Sequence, residues 1–245
     1  GGNNMLKLSH ISCRVDNLYE VAKQVEEMGF TIEWGGLPGK ENNFFIWFGE
    51  EAFLEVFCIK RKFAPLVVAM QLVYGTVPAK KWWRWFSAKN MWCDFALEDD
   101  NDNMTKIVRK NKKTIVDIES IKKYVKDMGI NVAPKTLHWK RKNCKGKYAN
   151  YSYFIPRNVK LPFIVSRYEP RQKSLETVHQ NGAKKIAYIK IEVGKQEYKE
   201  LFKLVKDDDR IQLIKGRDTH ICEIGIEGLS NSIKICNVLI KAVEV

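Results

Sequence analysis

Of the four histidines in this chain, His10 stands in the middle of an otherwise strand-like run, "LKLSHISCRV". An imidazole there can ligate a metal, carry a proton or complete the core, and the residue type alone leaves all three open. His179, in "VHQNG", adjoins a turn-forming Asn-Gly pair, where it can act as a base or bond the turn. Trp139, in "LHWKRK", sets an aromatic face beside Lys140 and Arg141, which suits a planar or anionic small molecule and equally a stacked nucleobase. The six cysteines include no C-x-x-C pair and read as reduced thiols rather than a zinc framework. No H-x-H, H-E-x-x-H, Walker or G-x-S-x-G pattern occurs, which removes the commoner hydrolases and nucleotide enzymes.

A chain of 245 residues with 45% hydrophobic content can bury one large core or two small ones. It contains no apolar run near the roughly 20 residues that span a bilayer and no secretory signal, so a cytoplasmic protein without membrane contact is expected. Gly1 to Asn4 read as a remnant ahead of a native Met5. The net charge of +13 is concentrated: residues 101–160 hold 16 Lys or Arg against 4 Asp or Glu. Such a segment either attracts an anionic partner or solvates a surface.

The elements that must position these residues follow from periodicity. Asn17, with Glu20 three residues on, starts a helix whose stripe is Leu18, Val21, Ala22, Val25 and Met28, and Gly29 ends it. "FTIEWGG", "NNFFIWFG" and "EAFLEVF" are then short strands, which makes a βαβββ unit. "NLYEVAKQVEEMGFTI" returns, stripe for stripe, as "DIESIKKYVKDMGINV" in a second unit, whose strands are "MWCDFALEDD", "KGKYANYSYFI" and "LPFIVSRYE" and which carries the extra "NDNMTKIVRKNKKTIV". The division expected is 5–75 for the first module, 76–90 for a connection, 91–170 for the second module with its basic insertion, and 171–245 for a third, shorter unit. Several hairpin-length strands after each helix make this an α+β protein rather than a parallel doubly wound one.

The order "HISCRVDNLYEVAKQVEEMGFTI…GG…G…NNFFIWFGEEAFLEVF", together with "SLETVHQNGAKKIAYIKIEV", resembles the glyoxalase-like proteins of the vicinal-oxygen-chelate superfamily. The resemblance implies repeated βαβββ modules curled into a half-open mixed-sheet cup with helices outside. It also implies metal ligands on the first and last strands of a module, the places of His10 and Glu55. A divalent Zn, Ni, Fe or Mn ion would suit that pair and act as a Lewis acid on vicinal oxygens. The alternative for Glu55 is a buried carboxylate satisfied by a basic neighbour. Aligning the second module sets Cys93 opposite His10 and an aliphatic residue opposite Glu55, so two of four expected ligands are missing, and His179 is the substitute ligand or base.

Asn43, Trp47 and Trp139 are expected against the substrate. The function implied is isomerase, lyase or ring-opening chemistry on a small molecule, with an anionic one compatible with the basic segment. A binding protein without turnover on the same cup is the alternative, nucleic-acid binding is the weaker one, and a homodimer is left open.

Overall fold

The structure is a computed structural model that describes residues 6–60, 63–100, 103–110, 113–172 and 177–244. Met5 and the start of the "SLETVHQNG" segment lie outside them. The first unit is β1 (Leu6–Arg14), α1 (Leu18–Glu27), β2 (Glu33–Trp34), β3 (Asn43–Ile46) and β4 (Phe53–Phe57). Asn17 caps α1 by accepting the Glu20 N–H, while its own amide donates to the Glu20 carboxylate. Two helices that the sequence reading left inside the first module and the connection follow, α2 (Ala64–Tyr74) and α3 (Thr76–Ser87).

The second unit is β5 (Met91–Asp99), the hairpin β6 (Lys106–Lys110) and β7 (Lys113–Asp117), α4 (Glu119–Asp127), β8 (Leu137–Lys142), β9 (Tyr148–Phe154) and β10 (Phe163–Val165). The repeated helices end alike: Gly29 and Gly129 both take positive φ, and Phe30 and Ile130 close matching bonds back to Val25 and Val125. The last unit is β11 (Lys185–Gly194), α5 (Tyr198–Val205), β12 (Ile211–Gly216), β13 (His220–Glu227), β14 (Ile233–Ile235) and β15 (Val238–Val243).

The two modules share one curled sheet in the order β2-β3-β4-β1-β5-β10-β9-β8, parallel within each module at β1/β4 and β5/β10 and antiparallel where they meet. A pseudo-two-fold passes through the Ile11–Phe95 pair, exchanging Ser12–Asp94 with His10–Ala96 and Leu8–Leu97 with Cys13–Trp92. The bulges obey it, since Ser9 is the extra residue on β1 and Cys93 the extra one on β5. Leu8, Ile11 and Cys13 of β1 and Trp92, Phe95 and Leu97 of β5 therefore face the convex side, in one core with the stripes of α1 and α4.

The third unit is a separate sheet, β12-β11-β13-β15-β14, packed on that same convex face through Ile189, Ile191, Ile224 and Ile240. The concave face carries its own apolar cluster, in which Met70 of α2 and Ala79 of α3 meet Tyr153, Phe163 and Val165. Thus α1, α4 and α5 lie outside the cup, and the α2–α3 hairpin lies over its concave side.

A single carboxylate ties the third unit to β1 at the bulge. Asp208 accepts the Leu8 N–H at 2.6 Å and receives the Arg210 guanidinium at 2.7 and 2.8 Å. Burial alone would raise this carboxyl, but Arg210 and the Leu8 N–H hold it below the ordinary value. Its stabilisation is therefore present above the unfolded carboxyl pKa, about 3.9, and is lost as pH falls through the lower folded value. Asp208→Ala should cost about 2–3 kcal/mol in urea denaturation at pH 7, with the gap to the parent closing in strongly acidic buffer. A gap unchanged by acid would show that the carboxylate's charge is not what binds the units.

Candidate functional site

Alternation along β1 and β4 turns His10, Ser12 and Glu55 onto the concave face, and Asn43 at the start of β3 joins them. The His10 ring is 5% exposed, stacked on Phe53 at 4.8 Å and edge-on to Phe163 at 5.4 Å. Its Nε2 lies 3.6 Å from Glu55 Oε2. Ser9 donates its hydroxyl proton to Glu98, so at His10 Nδ1, 3.2 Å away, Ser9 can only accept. This arrangement suits the tautomer with its proton on Nδ1, which turns Nε2 toward Glu55 as a pair able to hold one proton between them.

Glu55 is fixed by its other oxygen, which accepts from Asn43 Nδ2 at 2.7 Å, while Ser12 Oγ stands 3.5 Å from Oε2. Burial raises the Glu55 carboxyl, against the opposing pull of Asn43, Arg141 and Ser12. Asn43 reaches this position only because residue 35 is glycine: a Cβ there would collide with Asn43 Oδ1. All these groups line a cavity of about 540 Å³, within the range of small-molecule sites.

In the other half of the cup the positions that match this cluster carry different groups. Under the pseudo-two-fold, Asp94 takes the place of His10, Phe163 that of Glu55 and Tyr153 that of Asn43. This corrects the alignment that set Cys93 and an aliphatic residue there: the bulge at Cys93 shifts β5 by one residue, and the β5/β10 register brings Phe163 opposite Ala96 as Glu55 is opposite Ser12. Cys93 is a buried thiol pushed up to about 12 by burial. Asp94 accepts from Lys81 Nζ and from Trp85 Nε1, each at 2.5 Å. Lys81 is fully buried and spends its other two protons on the carbonyls of Leu161 at 2.8 Å and Val159 at 3.0 Å. Trp82, also on α3, donates to the Tyr153 hydroxyl at 3.0 Å.

Of the remaining expected residues, Trp139 lines the cavity and stacks on Trp82 at 5.7 Å. Trp47 does not: it is 1% exposed and packs with Phe45 and Phe53 in a satellite core. His179 does not reach the cup either. Its Nδ1 accepts the Thr31 N–H and its Nε2 donates to the Trp47 carbonyl, both at 3.0 Å, so both nitrogens bridge loops, and burial lowers its pKa. The sequence reading missed Ser12, Tyr151, Tyr168 and the Lys81–Asp94 pair, and Arg141 entered it only as a neighbour of Trp139.

A catalytic metal ordinarily takes three protein ligands. Among the described residues no three His, Cys, Asp or Glu side chains converge on one point, and the group that would complete His10 and Glu55 by symmetry, Asp94, is held by Lys81. Among the described residues His10 and Glu55 supply two ligands toward the expected Zn, Ni, Fe or Mn, and no third His, Cys, Asp or Glu stands with them.

The sequence pattern of the glyoxalase-like domain matches residues 8–204. The chain belongs to that family. The fold is similar to that of a hypothetical protein from Staphylococcus aureus, at 14% identity and TM-score 0.68, with 98% of this chain and 100% of that one aligned. A Mn(II)-bound glyoxalase from Novosphingobium aromaticivorans is similar at 10% identity and TM-score 0.52, over 91% of this chain and 66% of that one. No curated protein sequence matches this glyoxalase-like domain. The resemblance read from the sequence, and with it the curled α+β cup, is borne out.

Removing one partner of a buried pair strands the other. Lys81→Met should destabilise the protein by about 3–5 kcal/mol, and adding Asp94→Leu should restore most of that, as a urea double-mutant cycle would read. Equal stability of Lys81→Met and the parent would show that α3 is not anchored through this pair.

Proposed function

We propose that this glyoxalase-like protein acts on a small molecule held in the His10–Glu55 cavity, with Glu55 as the proton acceptor. The observation that carries the reading is the convergence of His10, Glu55, Asn43 and Ser12 on one cavity, while Asp94, at the matching position of the second module, is taken up by Lys81 of α3. Asn43 orients the carboxylate from one side, and His10, 3.6 Å away, takes up or returns the proton. Removal of a proton next to a carbonyl and its return elsewhere is isomerase chemistry, and the same removal followed by loss of a β-leaving group is lyase chemistry. The Mn(II) of the Novosphingobium enzyme belongs to that protein, and a metal here would need ligands beyond His10 and Glu55.

The distribution of the basic segment supports a small molecule over nucleic acid. Lys122 is buried on Pro134 O and Thr136, Lys140 and Lys142 lie over the Tyr148 ring, and Arg141 turns into the cavity. These cations do not form one flat stripe. Exposed Leu66, Val68, Leu72 and Val73 of α2 are compatible with the homodimer left open above. Among the described residues no helix is long and apolar enough to cross a membrane.

The test is solvent exchange. Carbon acids with a C–H beside a carbonyl, incubated with the protein in D2O, should lose that proton signal by NMR. Glu55→Gln should slow the exchange by about 10²–10⁴-fold while ligand binding persists. Exchange unaffected by Glu55→Gln would remove Glu55 from the chemistry. Binding with no exchange for any such compound would favour a binding protein without turnover.

A further inference from the structure

The cavity carries more positive charge than its chemistry at Glu55 requires. Its wall holds Lys40, Arg141 and Lys142 against one acidic residue, Glu55. Arg141 is the unusual member. It comes from β8, at the far edge of the second module, and its guanidinium carbon lies 4.2 Å from the Phe45 ring centre and 5.0 Å from that of Tyr168. All three of its nitrogens are buried and none makes a hydrogen bond of good geometry among the described residues, the Tyr168 hydroxyl being the nearest acceptor. Glu33 and Glu55 are near enough to feel its charge without bonding it.

A guanidinium is never deprotonated in a protein, and it offers a rigid fork of donors matched to two oxygens of one anion. Leaving that fork buried and empty is costly, whereas native structures satisfy nearly all such groups. The surrounding wall is aromatic: Trp139 stacked on Trp82, then Tyr151, Tyr153 and Phe163. Such a wall selects flat faces.

We propose that Arg141 is the anion-recognising residue of this cavity and that the natural ligand is a planar aromatic carboxylate. The inference deepens the small-molecule reading above and rests on it. The carboxylate takes the guanidinium fork, with the Tyr168 ring swinging aside to admit it, and the aromatic ring lies along Trp139 and Trp82. The rest of the ligand then points toward Glu55 and His10. Phe45 holds the guanidinium in place by contact with one face, and the movement of Tyr168 frees its edge for the anion.

The probes are benzoate and 2-naphthoate, read by quenching of tryptophan fluorescence, since Trp82, Trp85 and Trp139 all line the cavity. Both should bind the parent protein. The neutral isosteres benzamide and 2-naphthamide should bind at least tenfold more weakly, a comparison that needs no variant. Arg141→Gln should lose at least tenfold in affinity for the acids but not for the amides, and Arg141→Lys should recover part of the loss. Acids and amides binding alike, or acids binding Arg141→Gln as well as the parent, would overturn the proposal. Those results concern binding alone, so they are distinguishable from failure of the proton-transfer reading, which appears as unchanged exchange in Glu55→Gln.

Discussion

The arrangement of this molecule depends on one ammonium group. Lys81 lies out of reach of water, and an unpaired charge in that position would cost several kcal/mol. It is tolerated because its three protons go to Asp94 and to the carbonyls of Leu161 and Val159, while Trp85 completes the coordination of the carboxylate. Those bonds pin α3 at once to the central strand β5 and to the loop between β9 and β10. Once α3 is fixed, Trp82 and Trp85 take up part of the second module's half of the concavity and wall the cavity that opens on His10 and Glu55.

This makes a duplicated sheet chemically one-sided. At the position where β1 offers His10, β5 offers a carboxylate that an internal cation already neutralises. The second module still contributes, but from its far edge: the curl of the sheet carries Arg141 of β8 across to Phe45 of β3. The cavity gathers a proton-handling pair from β1 and β4 and a fixed positive charge from β8. A fixed cation suited to an anion and a buried carboxylate thus line one cavity.

Much of the scaffold was legible in the sequence because it is written in local signals. The α1 stripe, the Asn17 cap and the Gly29 and Gly129 stops each act within a few residues. The family order of strand, helix and Gly-rich turn placed His10, Glu55 and Asn43 in one cavity. The misreadings have physical sources too. A β-bulge at Cys93 is invisible to an ungapped alignment, and it moved the symmetry partner of His10 by one residue to Asp94. α2 carries apolar residues all round and so lacks the amphipathic period that announces a helix. His179 is a buried bridge because both of its partners, the Thr31 N–H and the Trp47 carbonyl, come from distant loops. Arg141 could be seen as basic, but only the curl of the sheet shows that it is turned inward.

The central claim is that a ligand sits between Arg141 and the His10–Glu55 pair while the Lys81–Asp94 pair keeps α3 in place. A crystal structure of the protein grown with 4-bromobenzoate, with the bromine located by its anomalous signal, tests it most directly. The account predicts one site, with the carboxylate on Arg141, the ring beside Trp139 and the Lys81–Asp94 pair undisturbed. A carboxylate seated on Lys81 with α3 displaced from Asp94, or a ring bound away from Arg141 altogether, would contradict it.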